Sequence, residues 1–244
     1  ATATASTTPT NTATPTATAT ATPCVGNYTF TTMTGQTIVP GTLDIGNHAD
    51  DLTINIDLPF SFSYYGTAFT TANVCSNGHL QFTSGNTAFA NDCPLPTATL
   101  ADPIMPFWDD LRTDAAGSGI FTSVSGVSPN RIFNIEWRAT YFSGAGNPNF
   151  EIRLYETTGQ IDFVYGTPVN STGASATIGL QKDTGSLSST FSCNTASLSD
   201  GLKVSWTLQG CGTPSPTPTA TATFTGTPSP TATATATATA TPTA

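Results

Sequence analysis

The sequence predicts an all-β fold: an antiparallel, jelly-roll-like β-sandwich, one domain between two extended low-complexity tails. Three observations predict it. Apolar residues alternate with polar ones at a period of two in several short stretches. No segment carries an apolar stripe at helical spacing. Gly, Pro and Asn punctuate the chain at short intervals, as turns between many short strands require.

The boundaries follow from composition. Residues 1–23 and 212–244 are almost wholly Thr, Ala, Pro and Ser, and all 15 acidic and 6 basic residues lie between them. The domain therefore runs from Cys24 to Cys211. A domain of that size buries roughly 70% of the surface its unfolded chain exposes, enough to fold alone. Ala1 and Ala244 both fall inside repeat-like sequence, so a mature or excised piece of a longer precursor is expected.

Along the domain, NVCSNGHLQF centres on Asn77-Gly78, a strong hairpin signal. A two-residue turn pairs Ser76 with His79 and Cys75 with Leu80. Cys75 then shares a face with Leu80 and Phe82 as a small core hydrophobe, and His79 is a solvated residue beside the turn. In RIFNIEWRATYF, Phe133, Ile135, Trp137, Ala139 and Tyr141 alternate with polar residues. A hairpin joins 132–141 to 149–156. One register sets Glu136 opposite Arg153 and Arg138 opposite Glu151 on the outer face, pairs worth at most about 1 kcal/mol each. IDFVYG turns Ile161, Phe163 and Tyr165 inward, and GLKVSWTL does so with Leu202, Val204, Trp206 and Leu208.

Composition narrows the function. The net charge is -9, and only 9% of residues are charged, against about 25% in ordinary soluble domains. Six basic residues cannot form the stripe that nucleic acid needs, and anionic membranes are equally poor partners. No apolar run approaches the roughly 20 residues of a membrane span. No GxSxG, HExxH or phosphate-binding glycine loop is present. Glu136, Glu151 and Glu156 could serve as glycosidase acids, but ion pairing accounts for the first two, and no enzyme is expected.

Five cysteines, Cys24, Cys75, Cys93, Cys193 and Cys211, lack metal-site spacing, so disulfides in an oxidising compartment are expected, with one thiol over. Two acidic loops are candidates for a structural calcium, the one cofactor considered. DIGNHADD supplies Asp44, Asn47, Asp50 and Asp51, and FWDDLRTDAAGSG supplies Asp109, Asp110 and Asp114. The same residues also suit plain turns. Trp108, between prolines and aspartates, is the tryptophan expected at the surface as a sugar platform.

Uncharged Thr/Pro tracts have the composition of O-glycosylated stalks. The candidate acceptors are Thr2, Thr4, Thr7, Thr8, Thr10, Thr12, Thr14, Thr16, Thr18, Thr20 and Thr22 in the first tail. In the second they are Thr213, Thr217, Thr219, Thr221, Thr223, Thr225, Thr227, Thr231, Thr233, Thr235, Thr237, Thr239, Thr241 and Thr243. Asn27 (NYT) and Asn170 (NST) match the N-glycosylation tripeptide, which also recurs by chance. In an extended strand the Thr-Ala alternation puts every Thr on one face and every Ala on the other.

The strings LPFSFSYYG, FTTANVCSNGHLQF, PIMPFWDDL, NRIFNIEWRATYF, NFEIRLYETTGQIDFVYG and SATIGLQ, in that order, resemble a β-sandwich domain of large secreted bacterial proteins. They are more distantly similar to the extracellular domain of nidogen. The resemblance covers roughly residues 27–208 and implies an all-β extracellular module; it does not imply an enzyme. It also implies a Cys93–Cys193 bond, because those positions match cysteines typical of the bacterial relatives. Cys75 stands where those relatives carry Ser, which fits its being left over. Cys24 and Cys211 bracket the domain and could close it end to end. A Cys75–Cys93 pairing has only sequence nearness in its favour.

The expected function is a non-enzymatic, extracellular structural glycoprotein. It would be the subunit of a glycan-coated bacterial surface filament, a head-to-tail homopolymer with itself and O-linked glycans as partners. With only Lys182 and Lys203 for lysines, its sheet edges lack the usual charged guards against strand addition. The alternative is a secreted glycan- or surface-binding module on O-glycosylated spacers.

Overall fold

The structure is a computed structural model that describes residues 26–167 and 169–210. The two tails with their threonine acceptors, Cys24 and Cys211 lie outside the described residues.

The described residues contain no helix and fifteen strands. In chain order these are β1 (Tyr28–Met33), β2 (Leu43–Asp44), β3 (Thr53–Tyr64), β4 (Thr67–Cys75) and β5 (His79–Gln81). β6 (Pro103–Trp108), β7 (Leu111–Arg112), β8 (Gly119–Ser125), β9 (Ile132–Arg138) and β10 (Thr140–Tyr141) follow. The last are β11 (Asn149–Tyr155), β12 (Ile161–Tyr165), β13 (Thr177–Lys182), β14 (Leu187–Cys193) and β15 (Lys203–Leu208). One sheet has the order β1-β15-β12-β11-β9-β8-β2, the other β14-β13-β6-β5-β4-β3, and β10 pairs with β7 apart from both. The pairings are antiparallel, and the sheets face each other as a β-sandwich.

The predicted inward residues build the core. Phe133, Ile135, Trp137, Ile161, Phe163, Tyr165, Val204 and Trp206 are all buried. Trp137 stacks on Phe150 at 5.3 Å between centroids, and Phe150 on Phe107 at 5.3 Å. A satellite cluster of Leu95, Leu100, Met105 and Trp108 sits beneath the loop before β6. Trp108 is therefore buried, contrary to expectation, and its indole N–H donates to the Ala88 carbonyl at 2.8 Å. The disulfide joins Cys93 to Cys193 at the end of β14, and Cys75 is a buried free thiol.

Three local expectations are corrected. In the Asn77-Gly78 hairpin, Cys75 pairs with His79 and Val74 with Leu80, so the loop has three residues. The chain makes this turn with Gly78 at φ +70°, packed so tightly that a Cβ would lie 1.9 Å from the Phe107 carbonyl oxygen. The turn is buried: the Asn77 amide donates to Asp51 and Thr87 and accepts from the Leu111 N–H. The one-residue shift places Cys75 on the His79 face, away from Leu80 and Phe82. His79 is fully buried, edge-on to Trp108, and burial pulls its pKa down to about 3, so it is neutral.

The third correction concerns the ion pairs. Glu151 stands opposite Glu136, Arg138 opposite Asn149, and Arg153 opposite Asn134. The ladder is fixed by its inner face, where Trp137 meets Phe150 and Ile135 meets Ile152. Core packing of that kind outweighs surface ion pairs of at most about 1 kcal/mol. The pairs form along each strand instead, Arg138 to Glu136 at 2.7 Å and Arg153 to Glu151 at 2.9 Å.

That outer face is covered. Residues 34–42 leave β1 at one edge of the seven-stranded sheet and enter β2 at the other, as a strap across the strands between. Arg153 donates to the Thr37 carbonyl at 2.6 Å, and Arg138 to the Gly41 carbonyl at 3.1 Å. The Val39 N–H donates to Glu151 at 3.2 Å and the Gly41 N–H to Glu136 at 2.9 Å. Gly41 is required there, since a Cβ would come within 2.5 Å of Phe121. On this face Glu151, Asp162 and Val164 are buried although they point away from the sandwich interior, Asp162 being held by Tyr155, Gln160 and Lys203.

Candidate functional site

The two sides of the sandwich end differently. Beside β1 and β14 the sheets are tied together: the Asn27 amide donates to the Ser188 carbonyl at 2.9 Å, and the Ser189 hydroxyl to the Tyr28 carbonyl. At the other side, β3 ends one sheet and β2 with β8 ends the other. β2 covers β8 only at Phe121 and Thr122, so among the described residues Ser123–Ser125 pair on one flank alone. Among the described residues β3 likewise pairs with β4 only.

Between these edges lies a groove of about 570 Å³. Leu43, Ile54, Ile56, Leu58, Val124 and Phe133 line it, and Asp57 is its one charged lining residue. Cross-strand pairing shows why it is apolar. Val124 stands opposite core Phe133, Leu43 opposite Thr122, and Ile56 opposite core Ala72. They occupy inward-facing positions, yet Leu43 is 67% exposed and Val124 49%. The core is uncapped here. None of the edge strands β1, β2, β3 and β14 carries a Lys or Arg, and Pro59 stands in β3 as edge strands tolerate.

A second feature is acidic. The structure brings together three of the seven candidate calcium ligands, Asp50, Asp51 and Asp110, whose carboxylate oxygens lie within 4.8 Å of one another. Burial raises the pKa of Asp50, with the neighbouring Asp51 charge adding to it. Burial also raises that of Asp110, with Asp50 and Asp51 adding. These three could hold a divalent cation. The others are engaged elsewhere. Asp44 accepts from the Gly46 N–H and bonds His48 at 2.7 Å. Asn47 is buried and accepts from Thr113, Asp109 accepts from Ser175 at 2.6 Å, and Asp114 takes both arms of Arg112. Beside the three carboxylates, half-exposed Phe89 and Phe142 complete a pocket of about 150 Å³.

The glutamates considered as acids are occupied. Glu136 and Glu151 hold the strap. Burial drives Glu151 up to about 7, whereas on Glu136 burial is outweighed by Arg138, Asn149 and the Gly41 N–H, leaving it below the usual range. Glu156 is held by Arg131 through two guanidinium bonds and its backbone N–H, which take its pKa down to about 2. Asn27, one of the glycosylation tripeptides, spends its amide on the tied edge.

A family model described as NIDO related matches residues 24–228. The chain belongs to the NIDO-related family. No curated protein matches it, and no solved structure does. For a NIDO-related domain, a distant likeness to the nidogen domain accords with the resemblance read from the strand motifs. The family and the Cys93–Cys193 disulfide together fit an extracellular protein. Among the described residues of this NIDO-related domain, no helix is long and apolar enough to cross a membrane.

The groove escaped sequence reading. Leu43, Ile54, Ile56 and Val124 look like any other inward strand residues; what exposes them is their place at a sheet edge. Phe89 and Phe142 lie in loops with no periodic context.

Proposed function

We propose that this domain is a non-enzymatic structural unit of a glycan-coated, extracellular bacterial filament, in which a strand or tail of one subunit docks on the sheet edge of the next. The observation that carries this reading is the uncapped groove between β3 and β8. Inward-facing apolar side chains without a cover, flanked by unpaired backbone, are what β-strand addition uses. A groove and a tail are different surfaces, so their contact is head-to-tail, and wherever the rotation between subunits does not close a ring it propagates as a filament. The charge-free Thr tails would carry O-linked sugars that keep such a polymer soluble. Electron microscopy of the native glycoprotein tests the reading: fibres with a regular subunit repeat are expected, and isolated particles at every concentration would refute it. An intact mass no greater than the 25.1 kDa polypeptide would refute the glycan coat.

A second reading, a glycan- or surface-binding module, is favoured by one observation. Exposed Phe89 and Phe142 flank Asp50, Asp51 and Asp110, which pairs aromatic faces with hydroxyl acceptors or a cation site. A glycan array probed with the protein and its Phe142→Ala variant separates the readings. Calcium at the three aspartates is tested by melting with and without EGTA, where an unchanged midpoint counts against it.

A further inference from the structure

We propose that the groove between β3 and β8 receives residues Thr219–Thr225 of a second copy of this chain as an added strand, with Phe224 as its anchor. The proposal rests on the assembly reading above and names the segment that performs it.

The groove sets the requirements. Its walls are apolar, its single charge is the Asp57 carboxylate, and its free backbone row on β3 runs through Ile54–Leu58 before Pro59 removes a donor. The fitting occupant is an uncharged, proline-free strand of about five residues with one apolar face.

The tails contain one such segment with a large side chain. Phe224 is the sole aromatic residue in 1–23 and 212–244, and no Leu, Ile, Val or Met accompanies it. Pro218 and Gly226 bound the run TATATFT in which it stands. At a strand period of two, Ala220, Ala222 and Phe224 face one way and Thr219, Thr221, Thr223 and Thr225 the other. With the first face on the groove, the threonines point to solvent, where sugars on them do not obstruct docking. The tract 231–241 also alternates, but alanine methyls bury far less area than one phenylalanine ring.

The assembly reading assigns the donor to a second copy, and the light–heavy cross-link of the test distinguishes it from the chain's own tail.

The test uses the full-length glycoprotein with Phe224 replaced by photoreactive benzoylphenylalanine, mixed with ¹⁵N-labelled copies that lack the probe. Irradiation is expected to give light–heavy cross-links to peptides holding Ile54–Leu58, Leu43 or Val124. Cross-links confined to one copy, cross-links to other surfaces, or none at all would each overturn the proposal. Microscopy of the same sample separates the failures. Fibres with cross-links elsewhere leave the assembly reading standing; neither fibres nor inter-copy cross-links removes both. As an independent check, Phe224→Ser and Val124→Lys should each weaken association at least about tenfold, since burial of one large apolar side chain is at stake. The exposure of Val124 keeps the second variant folded. Wild-type polymerisation by both variants would overturn the groove as the acceptor.

Discussion

The β1/β14 side and the β3/β8 side of the sandwich are made from the same alternating pattern and end in opposite ways. At the first, Phe30 lies edge-on to Phe191 at 5.4 Å and to Trp206 at 5.0 Å, and Asn27 and Ser189 bridge the sheets. At the second, Leu43 and Val124 face inward and no strand among the described residues lies over them. The difference teaches that exposure here is set by topology, not by residue type. A polar bridge and aromatic packing join the two sheets on one side only, although Phe30 itself is 41% exposed.

The largest effect that would break the contrast is removal of the disulfide beside the tied edge. The paired Cys93→Ala and Cys193→Ala changes release a crosslink spanning 100 residues and should cost about 3–5 kcal/mol, read as a lower urea midpoint. Next comes the strap that joins the two edges. Glu151 in the folded chain titrates at about 7, against 4.5 for a free carboxyl, because burial favours its neutral form. Between those values the folded state holds a proton the unfolded state has lost. That stability is complete below about pH 4.5 and disappears as pH rises through 7. Raising pH from 5 to 8 should cost about 1–3 kcal/mol at this residue, and Glu151→Gln should flatten the dependence and gain on wild type as pH rises. An unaltered pH profile in the variant would count against this assignment.

Asn27→Ala removes the amide that serves Ser188, Ser189 and the Tyr28 N–H. It should cost about 1–2 kcal/mol and speed amide exchange in β1 and β14. The smallest effect belongs to the open side. Val124→Lys should change the stability of the isolated subunit by no more than about 0.5 kcal/mol, because the side chain is already half in water. A large loss there would mean the groove is closed in solution.

Much of the fold could be read from alternation because each strand keeps one face in the core. Phe133, Ile135, Trp137, Val204 and Trp206 needed no knowledge of distant contacts. The Cys93–Cys193 bond was implied by likeness to other chains, not by spacing. What could not be read were features made by remote segments. Nothing near Glu151 announces the strap that bonds it, and nothing near His79 announces the loop and Trp108 that enclose it. The calcium loops illustrate the same limit. Their aspartates are close in sequence, but Arg112, Ser175 and His48 draw off three of them and leave Asp50, Asp51 and Asp110 together.

The strap also governs how long the molecule keeps its first strand. Among the described residues, the backbone path from β1 to the later strands runs through residues 34–42, and Thr37 and Pro40 on that path are exposed. A protease that nicks there leaves every other strand in one piece. With Cys24 bonded to Cys211, the nicked strand and the threonine-rich segment before it stay tethered; with that bond reduced, the hold on β1 becomes a bimolecular equilibrium that dilution reverses. A cut in the strap and the redox state of Cys24 and Cys211 together set whether the first strand and the segment it carries are shed or retained.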